Sequence, residues 1–221
     1  MTVHGLLLAA GAGSRMGRPK ALVSDDRGPW LVCGVETLLA GGCDAVTVVL
    51  GSGADAAEVL LADPSQIPAF SRRVGERSPG RPAVTVVRAD DWATGMSASL
   101  RAGLTALEVT DAEVALLHLV DLPDVGPEVV RRLLADGAGH ADLRRAAYSG
   151  VPGHPVLLGR EHWAGVLATT TGDEGARGYL RAHPADLVEC GDLATGRDVD
   201  HPAGHATDHG LDQPGANRLP G

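Results

Sequence analysis

The chain has 221 residues, of which 44% are hydrophobic and only 3% aromatic, and its formal net charge at pH 7 is -9. This length and composition predict one α/β domain with an aliphatic core, and the acidic balance argues against a nucleic-acid-binding surface. Three cysteines without paired spacing exclude a zinc ribbon and argue against a disulfide framework. The first residues contain no basic segment and no apolar stretch of membrane-spanning length, so we expect a cytoplasmic protein that does not enter a membrane.

The chain begins with a short apolar strand that runs directly into a glycine-rich loop. Residues 3–8 are almost all apolar, and glycines follow at positions 11, 13 and 17. Glycine lets backbone N–H groups approach a phosphate without obstruction from a Cβ atom. Arg15 and Lys20 place two cations beside this loop, and Lys20 is the only lysine of the chain. Together these features predict a cradle for phosphate groups.

Two common phosphate-binding motifs do not fit this loop. A P-loop requires adjacent Gly and Lys followed by Ser or Thr, whereas Arg18 and Pro19 separate Gly17 from Lys20 here. A dinucleotide-binding fingerprint requires G-x-G-x-x-G, but the third glycine position is Met16. The second predicted strand also ends in V-V-L-G, without the acidic residue that would bind a ribose.

The next elements alternate between helices and strands. Apolar runs predict strands, and apolar residues three to four positions apart predict helices. Pro29 suits the first position of a helix, which ends at a glycine pair. In chain order we expect a helix at 30–39, a strand at 45–50, a helix at 54–61, a loop at 63–82, a strand at 83–88, a helix at 97–107, a strand at 113–119 and a helix at 127–134. This alternation predicts an α/β fold with a doubly wound, mostly parallel, Rossmann-like sheet.

The alternation becomes irregular in the last third of the chain. Short strands at 145–149 and 155–158 flank the turn G-V-P-G and predict a small β excursion. Helices at 161–167 and 175–182 and a strand at 186–190 follow. From about residue 203 the sequence is rich in Gly, His, Asp and Pro and has little to bury. We therefore expect one domain over residues 1–202 and a mobile tail over 203–221.

Acidic residues follow the strand at 113–119 and return near the end of the predicted domain. Asp121 comes just after that apolar run, at the edge of the sheet where ligands of doubly wound folds bind. Asp198 and Asp200 are two residues apart and would point the same way from an extended chain. Carboxylate oxygens are ligands that Mg²⁺ prefers, with phosphates and water completing its shell. A metal site is one interpretation of these residues, and exposed acidic turns are the other.

The segment T-G-M-S-A-S-L at residues 94–100 precedes a predicted helix. Ser97 can cap this helix, and Ser99 lies in its first turn. The free N–H groups of a helix start favour an anion or a base carbonyl. Capping and contact with a ligand are compatible here.

The pattern L-A-A-G-x-G-x-R-M-G-x-P-K at residues 8–20 resembles the signature loop of the MobA-like NTP transferases. Its A-A-G opening looks most like that of the molybdenum cofactor cytidylyltransferases. The resemblance covers about residues 3–202 and implies a nucleotide-diphospho-sugar transferase fold. It implies that Arg15 and Lys20 are catalytic, and that the nucleotide is bound by Leu8, Ala9, Ala10, Gly11, Ala12, Gly13, Gly95, Ser97 and Ser99.

Four further elements resemble those of the family and occur in the same order. V-D-L-P resembles G-D-x-P with Val120 in place of the usual glycine, and D-V-D-H-P resembles D-x-D-T-P with His201 in place of threonine. G-H-P and G-D-E-G-A-R resemble the family's acceptor-side elements. The resemblance implies metal ligation by Asp121, with Asp198 or Asp200 as the second ligand. It implies acceptor binding by Gly153, His154, Pro155, Asp173 and Arg177; of these, we expect His154 to position the substrate and Asp173 to cap the following helix.

The implied reaction is nucleotidyl transfer with Mg²⁺ or Mn²⁺ as cofactor. An acceptor phosphate or hydroxyl attacks the α-phosphorus of an NTP in line and pyrophosphate leaves, so positioning and charge neutralisation dominate. The resemblance further implies CTP as donor, molybdopterin-bound molybdenum as acceptor, and a molybdoenzyme or its chaperone as partner. Guanylyl or sugar-phosphate nucleotidyl transfer stays open. So do an NAD(P)-dependent oxidoreductase of the same family and a non-catalytic protein that binds molybdopterin or a molybdoenzyme.

Overall fold

The computed structural model describes residues 1–62 and 84–200 of the chain. These residues form a seven-stranded mixed sheet with helices on both faces and a separate two-stranded ribbon. The loop expected at 63–82 and the tail expected at 203–221 lie outside the described residues. No helix in the described ranges is both long enough and apolar enough to cross a bilayer.

The first two thirds of the described chain follow the expected alternation of strands and helices. These elements are β1 (Val3–Ala9), β2 (Ser24–Asp25), β3 (Gly28–Pro29), α1 (Trp30–Gly41), β4 (Ala45–Leu50), α2 (Ala54–Leu61), β5 (Val84–Arg88), α3 (Met96–Glu108), β6 (Val114–Leu119) and α4 (Pro127–Leu134). The last third contains β7 (Leu143–Tyr148), β8 (Val151–Gly159), α5 (Arg160–Thr169), α6 (Arg177–Ala182) and β9 (Asp186–Glu189). Single 3₁₀ turns cover Lys20–Leu22 and Trp92–Thr94.

The sheet order is β5-β4-β1-β6-β8-β7-β9. The first four of these strands are parallel, β8 runs antiparallel to both of its neighbours, and β9 is parallel to β7. The predicted mostly parallel, doubly wound sheet is therefore confirmed. Because β1 and β6 are adjacent and parallel, the glycine loop and Asp121 both leave the sheet at the same edge.

The β7–β8 hairpin differs from the predicted excursion in its length and its place. Its strands extend beyond the predicted ones, and the pair lies inside the main sheet between β6 and β9. The turn consists of Ser149 and Gly150, whose φ angles are 53° and 78°. Two consecutive residues with positive φ close a two-residue hairpin, so the predicted G-V-P-G turn gives way to a tighter one.

Alternation along β1 divides the core into two layers. Leu7 and its neighbours pack beneath α1 and α4, whereas Leu6 packs on the opposite face beneath α3 and α5. The apolar face predicted for α1 is confirmed, because Leu31, Val35 and Leu38 are fully buried. The two layers hold β1, β4 and β6 rigidly, and their carboxyl ends can therefore position a site.

One polar side chain within this core makes the stability depend on pH. His118 on β6 is 2% exposed, and within the described residues its Nδ1 atom has no hydrogen-bond partner. Burial lowers the pKa of His118 to about 4, with nearby Asp124 acting weakly in the opposite direction. An unfolded histidine titrates near 6.5, so the unfolded chain binds a proton that the native state excludes between pH 6.5 and 4. Native stability therefore falls as the pH falls through this range.

We expect His118→Gln to reduce this pH dependence. Between pH 7 and 5, one excluded histidine proton corresponds to about 2 kcal/mol of unfolding free energy. Urea unfolding of the wild type and of His118→Gln at both pH values measures the difference. His140→Gln is the control, because His140 is half exposed and pairs with Glu113. Equal pH slopes for the wild type and His118→Gln would contradict the account of His118.

Candidate active site

A cavity of about 420 Å³ lies at the carboxyl ends of β1 and β6. The glycine loop, the segment before α3 and the loop after β6 form its walls. Six of the residues predicted to bind nucleotide line it: Leu8, Ala10, Gly11, Ala12, Gly95 and Ser99. Ala9, Gly13 and Ser97 are not lining residues. Trp92 and Met96 also line the cavity and are not among the residues predicted from sequence to bind the nucleotide.

The glycine loop folds into a closed turn with unused backbone donors. Its turn is closed by hydrogen bonds from the Met16 N–H to the Gly13 carbonyl, at 2.8 Å, and from the Lys20 N–H to the Gly11 carbonyl, at 3.3 Å. In the described part of the chain, the backbone N–H groups of residues 12–14 have no hydrogen-bond partner. Such adjacent free donors are what an anionic phosphate requires.

The two glycines of this turn are required for different reasons. Gly13 has a φ of +59°, and a Cβ atom there would lie 2.0 Å from the Arg18 carbonyl oxygen. Gly11 has ordinary backbone geometry, and a Cβ atom there would meet nothing within 4 Å. Gly13 is therefore needed by the fold of the loop, whereas any need for Gly11 comes from a bound ligand.

We expect Gly13→Ala and Gly11→Ala to separate stability from binding. Gly13→Ala should destabilise the protein by about 1–3 kcal/mol, because it combines a strained φ with a backbone clash. Gly11→Ala should leave the unfolding free energy unchanged but weaken NTP binding by about tenfold or more, because the Cβ atom blocks close approach of a phosphate. Urea unfolding and NTP titration of both variants measure this. Full NTP affinity in Gly11→Ala would show that no phosphate lies over this loop.

The two predicted catalytic cations contact the predicted metal carboxylates. The Lys20 Nζ atom lies 2.5 Å from Asp121 Oδ2 and 2.7 Å from Asp200 Oδ1. Arg15 Nη1 donates to the other oxygen of Asp200 at 2.6 Å. Lys20 and both of its partners are partly buried, whereas Arg15 is exposed.

Burial alone lowers the pKa of Lys20, but the hydrogen bonds that Lys20 donates to Asp121 and Asp200 outweigh it, so the net pKa is raised. The pKa of Asp200 is lowered, first by its hydrogen bond from Lys20. Lysine and carboxylate are therefore both charged near neutral pH.

Three carboxylates converge at this point from two distant parts of the chain. Asp121, Asp198 and Asp200 each offer an oxygen, and these atoms lie within 4.8 Å of one another. The Val199 N–H donates to the Asp121 carbonyl at 3.0 Å, which holds the C-terminal segment against the loop after β6. A set of hard carboxylate oxygens fits Mg²⁺ or Mn²⁺. The structure thus brings together the metal residues predicted from sequence.

The start of α3 differs from the sequence prediction. Gly95 precedes the helix, and Ser97 does not cap it; the Ser97 hydroxyl instead accepts a hydrogen bond from the Gly175 N–H at 3.2 Å. The Ser97 N–H donates to the Gly172 carbonyl at 2.9 Å, and the Met96 N–H donates to Asp173 Oδ1 at 3.4 Å. The expectation of free N–H groups here was therefore wrong for these two residues, because the 172–175 segment already uses them.

The same contacts revise the part played by Asp173. The sequence predicts that Asp173 caps the helix that follows it. In the structure α6 begins only at Arg177 and has no side-chain cap, so this prediction is wrong. Asp173 instead lies at the start of α3 and lines the first cavity. The positive end of α3 thus attracts this carboxylate across the fold.

A second cavity, also of about 420 Å³, adjoins the first and shares Lys20 and Asp121 with it. Of the predicted acceptor residues, Gly153, His154 and Arg177 line it. Pro155 is buried behind them, after a cis peptide bond. Burial lowers the pKa of His154 to about 3, and repulsion from His118, Arg145 and Arg177 adds to this effect. His154 is therefore neutral at physiological pH and can orient a ligand but cannot provide a positive charge.

Arg145 also lines the second cavity and is not among the site residues predicted from sequence. It follows Arg144 in β7, and no motif distinguishes the two. Arg144 contacts Asp142 and the carbonyls of Leu133 and Gly137, whereas Arg145 faces the cavity. Only the pairing of β7 with β8 decides which arginine reaches the site.

The sheet and its site define a nucleotidyltransferase-like α/β protein. A family model of the MobA-like NTP transferase domain matches residues 5–187, and the chain belongs to this family. The chain is 38% identical over 209 residues to the nicotine blue oxidoreductase of Paenarthrobacter nicotinovorans, covering 90% of this chain and 92% of that protein.

Two solved structures show the same fold at lower identity. A Methanothermobacter nucleotidyl transferase is 24% identical with a TM-score of 0.66, covering 90% of this chain and 92% of that one. The manganese complex of Rv0371c from Mycobacterium tuberculosis is 23% identical with a TM-score of 0.60, covering 86% of this chain and 88% of that one. A structural relative has therefore been crystallised with manganese, and this chain has an acidic cluster suited to such an ion.

Proposed function

We propose that the chain is a metal-dependent nucleotidyltransferase that moves a nucleotidyl group from an NTP to a phosphorylated acceptor and releases pyrophosphate. The observation that carries this proposal is the contact of Lys20 with Asp121 and Asp200 beside a loop with free N–H groups. The site combines a partly buried lysine, converging carboxylates and backbone N–H groups that can bind phosphate, all at one edge of the sheet. These groups suit charge redistribution between phosphates.

Each part of the site has a distinct task in this proposal. The N–H groups of residues 12–14 bind the triphosphate, and Lys20 and Arg15 stabilise the charge that develops on pyrophosphate. Asp121, with Asp198 or Asp200, would hold Mg²⁺ or Mn²⁺. The ion would supply charge neutralisation between donor and acceptor oxygens. Neutral His154 positions the acceptor in the second cavity, and an acceptor that is a phosphate monoester needs no general base.

We further propose CTP as the donor and a molybdopterin-type compound as the acceptor. The A-A-G opening of the loop, which looks most like that of the molybdenum cofactor cytidylyltransferases, supports this choice. Guanylyl and sugar-phosphate transfer would use the same loop, lysine and carboxylates, so a change of donor leaves the reaction class intact.

A second candidate function is NAD(P)-dependent reduction of an organic substrate. It is favoured by the 38% identity to a protein named nicotine blue oxidoreductase, which spans nearly both chains. In that case the first cavity would hold the nicotinamide cofactor and the second its substrate. Hydride transfer does not require three converging carboxylates, whereas metal-dependent nucleotidyl transfer does use such a group. The geometry therefore supports nucleotidyl transfer better.

Two assays on the same protein compare the two candidates directly. Pyrophosphate release from CTP, GTP, ATP and UTP is measured with Mg²⁺ or Mn²⁺ in the presence of molybdopterin, and NAD(P)H oxidation is measured with nicotine blue. We expect pyrophosphate release that requires both metal and acceptor. NAD(P)H oxidation without pyrophosphate release would replace the transferase proposal with the oxidoreductase.

A further inference from the structure

Two guanidinium groups that line the second cavity have no acidic partner among the described residues. Arg145 and Arg177 both line this cavity, and in the described part of the chain neither forms an ion pair. Arg145 is half-buried, and its Nε donates to the Gly153 carbonyl at 3.1 Å. This bond fixes the guanidinium plane and leaves its terminal nitrogens without a partner among the described residues.

Neighbouring arginines of the same elements are all neutralised. Arg144, adjacent on β7, pairs with Asp142 at 2.9 Å. Arg181, one turn after Arg177 on α6, pairs with Glu174 at 3.0 Å. Glu174 also lines the cavity, but its carboxylate is engaged by Arg181. The lack of a counter-charge at Arg145 and Arg177 is therefore specific to the cavity.

Holding these two cations together is unfavourable without a ligand. The pKa of Arg145 is lowered, first by burial and then by repulsion from Arg177. His154 beside them is neutral, so it does not offset their positive charge. A half-buried, unpaired cation next to a second cation is stabilised by a bound anion.

The same cavity also contains groups of the opposite charge. Asp121 and Asp198 line it together with Lys20, and neither arginine forms an ion pair with these two carboxylates. The cavity thus contains both the acidic cluster, where the reaction takes place in the proposed function, and a separate pair of free guanidinium groups. A molecule that contacts both groups is oriented by their opposite charges.

We propose that Arg145 and Arg177 form an anion clamp, and that the acceptor carries a second anionic group besides the oxygen that reacts at the acidic cluster. This inference rests on the proposed function, because it takes the second cavity as the acceptor site. The planar fork of arginine suits an oxoanion or a carboxylate, which it binds through two parallel hydrogen bonds. The clamp holds the acceptor in one orientation, with its reactive end toward Lys20 and Asp121.

The clamp is tested by anion binding to the full chain without metal or nucleotide. Sulfate is titrated by calorimetry at constant ionic strength into the wild type, Arg177→Gln, Arg145→Gln and Arg145→Lys. Arg131→Gln is the control, because Arg131 is an exposed partner of Glu128 on α4 and lines neither of the two cavities. Arg15→Gln reports any sulfate bound at the glycine loop.

We expect Arg177→Gln and Arg145→Gln to weaken sulfate binding by about 10- to 100-fold, because each removes charge-assisted hydrogen bonds. Arg145→Lys should recover part of the affinity, and Arg131→Gln should change it less than twofold. Acetate in place of sulfate shows whether the clamp prefers a planar carboxylate or a tetrahedral oxoanion, and a preference for either supports it. Arg177 is exposed, so Arg177→Gln tests the clamp even if Arg145→Gln fails to fold.

Equal sulfate affinity in the wild type and Arg177→Gln would overturn the clamp. NTP affinity with Mn²⁺, measured on the same variants, keeps this result separate from the proposed function. If NTP fails to bind while Arg177→Gln still loses sulfate, the proposed function fails and the anion site stands. If NTP binds and the sulfate affinity is the same in the wild type and in both arginine variants, only the clamp is rejected.

Discussion

Replacing Lys20 by alanine should slow nucleotidyl transfer by about 10²- to 10³-fold, the usual cost of losing one preorganised charge at a reacting phosphate. The same change should tighten Mn²⁺ binding in the absence of nucleotide. The Lys20 ammonium lies 2.5 and 2.7 Å from oxygens of Asp121 and Asp200, which a metal ion would also use. Lysine and metal therefore compete for these carboxylates, and removing the lysine removes the competitor.

The metal-free Lys20→Ala variant should also lose about 1–3 kcal/mol of stability, because two partly buried carboxylates lose the ammonium that they share. Added Mn²⁺ should restore part of that loss. Turnover, Mn²⁺ titration and urea unfolding measure the three effects. Lys20→Arg is the control, since it keeps the charge but replaces a compact ammonium by a planar fork. Unchanged turnover in Lys20→Ala, with Mn²⁺ binding weakened, would contradict both the catalytic assignment and the competition.

Asp121→Asn should remove most of the stabilisation by Mn²⁺ at concentrations that stabilise the wild type. A ligand at one hundred times its Kd contributes about 2.7 kcal/mol, and this contribution falls to about 0.4 kcal/mol when the affinity falls about 100-fold. Asp121 also pairs with Lys20 through its side chain. The substitution keeps the backbone carbonyl of residue 121, which anchors the segment that carries Asp198 and Asp200, so it changes only the side-chain contacts.

The measurement is thermal or urea unfolding with and without Mn²⁺. Asp192→Asn is the control, because Asp192 is an exposed partner of Arg132 outside the cluster. Asp198→Asn and Asp200→Asn, measured alongside, show which of the two completes the site. Undiminished Mn²⁺ stabilisation in Asp121→Asn would mean that the ion binds elsewhere.

The elements with local signals were predictable from sequence. Short-range rules predict β1 from its apolar run and the loop from the glycines that follow it. They also predict the two ends of α1 from the proline before it and the glycines after it. Parallel strands then bring their carboxyl ends to one edge, so the convergence of Lys20 with Asp121 followed from the fold class. Asp200 was placed there by a motif, and the structure shows it in contact with Lys20.

The features that could not be predicted from sequence depend on contacts between segments that are distant in the chain. Asp173 lies at the start of α3 because the 172–175 segment packs there, and no local pattern links residues so far apart. The turn at Ser149 and Gly150 requires a positive φ at a serine, which a sequence search does not favour. Arg145 differs from Arg144 only in the face of β7 from which it projects, and β7 contains an irregularity that alters the register beyond Arg145.

The central claim is that the first cavity binds a nucleoside triphosphate together with a divalent metal. Its most direct test is the unfolding temperature of the full chain with CTP, GTP, ATP, UTP and NAD(P)H, each with and without Mn²⁺. We predict that an NTP stabilises the protein only when the metal is present, by about 2.7 kcal/mol at one hundred times its Kd. Stabilisation by NAD(P)H alone, with no response to any NTP, would contradict the claim.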